Sequence, residues 1–275
     1  LLSEMIPDWI GSIQGRRFMR WSDGERRFSR PLRWIVALLD NSLIPLTLKD
    51  SNPTISSGNL SKGHRLHDKE ILIPSAQEYT KKMDHVGIYV DRNNRKLKIH
   101  NLIHESSLRL NAIPDLSGEL LDELTDLVEH PNIIQGSFDI SFLDLPTEVL
   151  CTVMRVHQRY IPLYVNNNSN DILSLNAKEA LLADFLCISN GLSSSEETIR
   201  LGNQRVLKAR LSDAEFYVES DLSVTSQERI EKLKYVTFAE GLGSLSDRVK
   251  RIDWLSRLLI ELLNISGPDA KHIIR

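Results

Sequence analysis

Leu192 divides this sequence into two textures, and that division constrains the fold more than any single motif. Before it, apolar residues gather in short runs such as WIVALL (34–39) and DFLCIS (184–189), bounded by polar or turn residues, as in short strands mixed with helices. After it, they recur at helical spacing. Asn203 to Asp221 places Leu207, Leu211, Ala214 and Val218 on one stripe, and Ser226 to Ala239 reads as a second helix. Leu245 to Leu263 reads as a third, with Leu245, Val249, Ile252, Leu255, Leu259 and Leu262 on its expected buried side. The predicted class is α+β: a mixed α/β domain over 1–192, a basic connecting helix over 193–225, and an all-helical region over 226–275.

Within the first part, Ser22-Asp23-Gly24 predicts a hairpin turn, and Asp40-Asn41-Ser42 predicts another between RWIVALL and LIPLTL. DSNPTISSGNLSKG (50–63) reads as a polar loop. Ser75 caps a helix reaching about His85, Gly87 to Val90 reads as a short strand, and Arg95 to Asn111 as a helix. Ser117 is the expected cap of a helix carrying Leu120, Leu121, Leu124, Leu127 and Val128, ended by His130-Pro131, and Pro146 starts another through Val156. Strands at Tyr160 to Val165 and Asp184 to Ser189 flank an Asn-rich loop (166–176).

At 275 residues and 41% hydrophobic, the chain can bury a substantial core, and no run approaches the roughly 18 apolar residues of a membrane span. Cys151 and Cys187 sit in apolar company, read as small buried thiols, which suits a reducing, cytoplasmic setting. Leu1 opens a segment, LLSEMIPDWIG, unlike a signal or transit peptide, and Gly267-Pro268-Asp269 announces a helix just before Arg275. The chain is expected to begin and to stop in mid-protein.

Net charge is −3, so affinity for a polyanion must come from local patches. From Arg16 to Arg33 there are seven arginines against Asp23 and Glu25, interleaved with Trp21 and Phe28 and followed by Trp34. Arginines with aromatics grip single-stranded nucleic acid; a hairpin with packed aromatics and solvated arginines is the competing reading. The second basic place is the helix from Asn203, with Arg205, Lys208 and Arg210. If it began at Asn203, its bases would precede Asp213, Glu215 and Glu219 and oppose the macrodipole, as an external anion would explain. If Ser194 and Glu197 form a capping box, the bases fall mid-helix on a solvated face. Both readings stand open.

Catalytic constellations are absent from the sequence. His100 and His104 have a metal-binding spacing, but the glutamate of the zincin arrangements is missing. His67-Asp68 has the form of a phosphohydrolase pair, without the other histidines and distant aspartate such a site needs. No G-x-x-x-x-G-K-S/T loop, G-x-G-x-x-G turn or G-x-S-x-G elbow occurs.

Four strings together resemble one family, the beta subunit of the bacterial two-subunit glycyl-tRNA synthetase. They are FMRWSDGERRFSRPLRWIVALLD (18–40); GHRLH (63–67), where the family has G-H-R-F; LLDELTDLVEHP with GSFDISFLDLPTEVLCTVMRVHQRYIPLY (120–131 and 136–164); and NQRVLKARLSDAEFYVESD, continuing into RIEKLKYVTFAEGLGSLSDRVKRI (203–221 and 229–252). The resemblance implies a first domain like that of the phenylalanyl-tRNA synthetase beta subunit, followed by the start of a helical HD-like domain. It implies a cytoplasmic subunit that binds tRNA(Gly) and supports transfer of glycine to it, with no membrane contact. The alpha subunit is the implied partner and forms glycyl-adenylate with ATP and Mg, so no catalytic, cofactor or metal residue is expected in this chain.

Carried over onto these strings, the residues implied to contact tRNA are His64 and Arg65; Arg155, His157, Gln158 and Arg159; and Arg205, Lys208 and Arg210. Arginines would pair with phosphates and histidines stack or hydrogen-bond. Against this, Arg155 to Arg159 could simply link a helix to a strand, and Arg205 or Arg210 could pair with Asp213 or Glu215. Two other functions compete: a scaffold docking the alpha subunit with little RNA affinity, and an HD-type metal phosphohydrolase resting on His67-Asp68.

Overall fold

Both hairpins expected near the start form, although Ser22 of the first turn lies outside the described residues. The computed structural model describes residues 1–21, 23–66, 70–165 and 177–265. It holds two compact units, Leu1–Leu211 and a second from Ser212 onward. Helix α1 (Leu2–Ser12) leads to a ribbon of β1 (Met19–Arg20) and β2 (Arg27–Phe28), with Asp23 and Gly24 in its turn. A Cβ at Gly24 would stand 2.8 Å from the Asp50 carbonyl oxygen, which accepts the Glu25 N–H at 3.1 Å, so only glycine permits this approach. After β3 (Ile35–Val36), the hairpin of β4 (Leu38–Leu39) and β5 (Ser42–Leu43) turns through Asp40, whose φ of 51° is a left-handed conformation that aspartate tolerates.

Next come β6 (Thr47–Leu48), β7 (Ile55–Gly58), β8 (Leu60–Lys62) and β9 (Glu70–Leu72). β7 pairs with β3 and β6, and β8 with β9. The segment expected to be a polar loop therefore supplies two strands. Its serines suit them: Ser57 Oγ donates to the Ile44 carbonyl at 2.8 Å and accepts the Leu46 N–H at 3.0 Å, while Ile55 is buried. Helix α2 (Tyr79–His85) follows, and Ile88 to Val90 join no strand.

The larger core is built by α3 (Arg92–Arg109), β10 (Ala112–Pro114), α4 (Leu120–Leu127), β11 (Asn132–Ser137), α5 (Thr147–Thr152), β12 (Ile161–Val165), α6 (Ala177–Ala180) and β13 (Leu181–Ser189). The four strands form one antiparallel sheet in the order β10-β12-β13-β11. Ile99 and Ile103 of α3 and Leu120 and Leu124 of α4 pack on Ile161, Leu163 and Leu186 of the sheet. α3 is capped by Asp91, whose carboxylate accepts the Asn94 N–H at 2.7 Å. Across the helix pair, Arg92 bridges Asp122 and Asp126 at 2.8 and 2.7 Å. Ser117 does not cap α4: its N–H and hydroxyl both donate to Asp115, and the helix starts three residues later. The expected β12 and β13 are present; β10 and β11 were not anticipated.

Helix α7 (Glu196–Leu222) runs from the first unit into the second. The second unit continues with α8 (Ser226–Lys232), β14 (Thr237–Ala239), β15 (Gly243–Ser244) and α9 (Leu245–Leu262). The helix expected over 226–239 stops at Lys232, because Thr237 and Phe238 suit a strand and Gly241 and Gly243 supply the positive φ its turn needs. The region expected to be all-helical thus contains a small hairpin. α8 and α9 each open on a reciprocal capping box, Thr225 with Glu228 and Ser244 with Asp247. The expected buried stripe of α9 is not buried: Val249, Ile252, Leu255, Leu259 and Leu262 are 47% to 68% exposed. Periodicity defines an apolar face but not what covers it. No described helix is long and apolar enough to cross a membrane.

Phe185, fully buried, stacks on Tyr160 with centroids 4.7 Å apart, and a Cβ at Gly136 on the neighbouring strand would stand 2.4 Å from its ring. Gly136→Ala is therefore expected to destabilise the protein by about 2 kcal/mol through overpacking, read as a lower urea midpoint. An unchanged midpoint would show that the ring is free to move aside.

Candidate nucleic-acid interface

The start of α7 at Glu196 decides between the two charge orders. Glu196 and Glu197 occupy the first turn, where the macrodipole favours acids, and Arg205, Lys208 and Arg210 lie mid-helix. The N-terminus of the helix is thus served by its own acids without an external anion, while its last turn carries Glu219 and Asp221 and no base. Leu207 and Leu211 are fully buried, while Ala214 and Val218 are half-buried. Polar anchors fix the helix on the sheet: Asn203 Nδ2 donates to Cys187 Sγ at 3.0 Å, and Gln204 Nε2 to the Ser137 hydroxyl at 2.9 Å. Burial pushes the Cys187 thiol up to about 11. Arg205, Lys208 and Arg210 are exposed. Arg205 has no side-chain hydrogen bond or ion pair among the described residues, whereas Arg210 and Asp213 each take part in an interaction. Hydrogen bonds from Ser141, helped by the Lys208 charge, hold the Asp139 carboxyl below its ordinary range.

The second group sits where α5 passes through a wider π-helical turn (Val153–His157) into β12. Arg155 is turned inward, its Nη1 donating to Asp115 Oδ2 at 2.9 Å and to the Ser117 hydroxyl. The Asp115 side chain is only 6% exposed, so this arginine answers a charge that would otherwise be buried alone. Tyr164 donates to the same carboxylate at 3.3 Å and contacts Cys151 Sγ at 3.4 Å. Burial raises both the Tyr164 hydroxyl and the Cys151 thiol above their ordinary values. Arg159, at φ 55°, donates to Glu123 at 3.0 Å and to the Val156 carbonyl at 3.0 Å. His157 is exposed and Gln158 half-buried.

The Gly63-His64 pair is explained by packing. A Cβ at Gly63 would stand 2.6 Å from Val86 Cβ, and the His64 N–H donates to the Val86 carbonyl at 2.9 Å. The His64 side chain is fully buried, its ring 5.8 Å from that of His130, which stacks with Tyr89. Its neighbour Arg65 is exposed and makes no ion pair among the described residues. Of the nine residues, then, His64 is fully buried, Arg155 is half-buried and tied to Asp115, Gln158 is half-buried, Arg159 is held by a surface carboxylate, and Arg65, His157, Arg205, Lys208 and Arg210 face outward. The groups around Arg155 and Arg205 are carried by one sheet, through β12 and through β11 and β13; Gly63 to Arg65 follow a different strand pair.

Near the chain start, the sequence left Arg26 among equals. Its Nε and Nη2 donate to Asp50 Oδ1 at 3.0 and 2.9 Å, and its Nη1 to the Pro7 carbonyl at 3.3 Å, which ties the ribbon to α1. A partner 24 residues away gives no local signal. His100 and His104 stand on α3 with rings 6.3 Å apart, and no cluster of three or more possible metal ligands occurs among the described residues. His67-Asp68 lies outside the described residues.

A family model described as "Glycyl-tRNA synthetase beta subunit" matches residues 1–274. Similar curated proteins include the glycine–tRNA ligase beta subunit of Trichodesmium erythraeum, 41% identical over 276 residues, covering 100% of this chain and 38% of the relative. That of Gloeothece citriformis is 38% identical over 99% of this chain and 37% of the relative. That of Bacillus subtilis is 33% identical over 98% of this chain and 38% of the relative. The chain spans less than two fifths of the length of these relatives.

Arg155→Met should lower stability by about 2 kcal/mol by leaving Asp115 unpaired, and Asp115→Asn in the same chain should restore part of the loss. Denaturant unfolding of the two single variants and the double variant measures this. Strict additivity would mean that the pair does not interact.

Proposed function

The chain belongs to the glycyl-tRNA synthetase beta subunit family, and from that premise we propose that it is a tRNA-binding, non-adenylating part of a glycine–tRNA ligase, working in the cytoplasm. The observation that carries the reading is the family match over residues 1–274. In this reading an alpha subunit forms glycyl-adenylate from glycine, ATP and Mg²⁺, and this chain holds tRNA(Gly) so that its 3′ end receives glycine. The α/β part and its basic helix bear the RNA; the region from Ser226 opens an HD-like domain.

The outward residues give this role a physical basis. Arg205 and Lys208 supply positive charge on a helix whose N-terminus is already served by Glu196 and Glu197, and neither makes a side-chain hydrogen bond or ion pair among the described residues, so phosphate pairing breaks no such contact; Arg210 adds charge beside them. Arg65, His157 and Gln158 supply further phosphate or hydrogen-bonding contacts. His64, Arg155 and Arg159 act as positioning residues: His64 sets the backbone that presents Arg65, and the two arginines fix the turn that presents His157.

The test is charge reversal on α7. Arg205→Glu with Lys208→Glu should weaken binding of tRNA(Gly) to the assembled full-length enzyme at least tenfold and reduce the slope of log affinity against log salt by about 2. Aminoacylation should fall with it, while ATP–pyrophosphate exchange stays unchanged. Normal tRNA affinity and aminoacylation in this variant would remove RNA binding from the helix.

A further inference from the structure

The ribbon β1/β2 carries charge that its own fold does not use. Its register sets Arg20 directly opposite Arg27 on one face, an arrangement that repels. Glu25 relieves it weakly, meeting Arg20 at 3.4 Å with both side chains well exposed. Arg16, Arg17, Arg27, Arg30 and Arg33 are exposed, and their side chains make no hydrogen bond or ion pair among the described residues. Arg26 is the exception, being held by Asp50 and Pro7.

Aromatic rings are fixed among these charges. Trp21 Nε1 donates to the Phe28 carbonyl at 3.0 Å, and Phe28 stacks on Phe18 with centroids 5.1 Å apart. Two open cavities flank the ribbon. One, of about 380 Å³, is lined by Trp21, Phe28, Pro31, Leu32 and Pro53, with Arg33 in its wall. The other, of about 580 Å³, is lined by Arg16, Phe18 and Arg27 together with Glu25 and the Arg26–Asp50 pair. The first cavity is also lined by the Arg26–Asp50 pair, Ser51 and Asn52, so an apolar, partly aromatic wall faces a polar one; with the unpaired Arg33 in its lining, the slot suits a planar heteroaromatic group attached to an anion. Paired bases inside a duplex cannot enter such a slot, whereas unpaired bases stack on aromatic and guanidinium planes.

We propose that this ribbon binds an unpaired segment of RNA, one base entering the Trp21/Phe28 slot and its flanking phosphates meeting Arg27 and Arg33. The inference rests on the tRNA reading in one respect: the segment would belong to an unpaired end or loop of tRNA(Gly). The ligand class itself follows from the slot and the charges.

The experiment measures binding of the full-length enzyme to tRNA(Gly), to a short single-stranded RNA and to a blunt RNA duplex of equal length, by fluorescence anisotropy across a salt series. The single strand should bind at least tenfold tighter than the duplex. Arg27→Gln with Arg33→Gln, both on the surface, should weaken single-strand binding about tenfold and lower its salt slope by about 1.4. Phe28→Leu should weaken it about fivefold or more with the slope unchanged, a separation that a merely solvated hairpin would not give. Equal affinity for duplex and single strand, or unchanged affinity in the double-arginine variant, overturns the proposal. If that variant also keeps normal tRNA(Gly) binding, the ribbon assignment alone fails. If the unaltered enzyme binds no tRNA(Gly), the broader reading fails, and the single-strand arm still judges the ribbon.

Discussion

The register of β13 between β11 and β12 is the constraint on which the first unit depends. This strand is hydrogen-bonded on both sides, with Leu186 opposite Ile161 on one neighbour and Gln135 on the other. Because side chains alternate, a slip of one residue would take Leu186 off the helix-packed face and turn Phe185 and Cys187 away from Tyr160 and Asn203. α7 docks through that same register, since Asn203 meets Cys187 and Gln204 meets Ser137. The placement of the basic face is therefore a consequence of strand pairing between 132 and 189, far from the charges themselves.

The sequence made the long elements legible and obscured the short ones. α3, α7 and α9 followed their apolar periodicity, and β12 and β13 their β-branched and aromatic content. β10 spans only three residues, and β11 reads NIIQGS, where a glycine dilutes the strand signal yet is needed to make room for Phe185. β7 and β8 were hidden by Ser and Gly whose hydroxyls and small size serve the pairing. The stripe of α9 marks the opposite limit: its helix was readable, but burial depends on a neighbour that periodicity cannot name.

Much the same holds for the candidate site. The strings pointed to regions, but only tertiary structure separates arginines that hold the fold from those that face outward. Arg155 finds Asp115 forty residues upstream and Arg26 finds Asp50 downstream, whereas Arg205 and Arg27 find no side-chain partner among the described residues. His64 teaches the converse. A residue that the family string implied to contact tRNA is drawn inside by backbone bonding to Val86 and by the tight approach that Gly63 allows.

Cys151 and Cys187 add one property to this arrangement. Cys187 lies under α7 and Cys151 under the turn that holds Arg155, each buried and each with its thiol pushed up by burial. At neutral pH neither offers much thiolate, so alkylating reagents can reach them only through local opening. The two elements proposed to bear RNA thus each carry an internal clock: alkylation rates at the two sulfurs measure, separately, how often α7 and the Arg155 turn lift from the sheet.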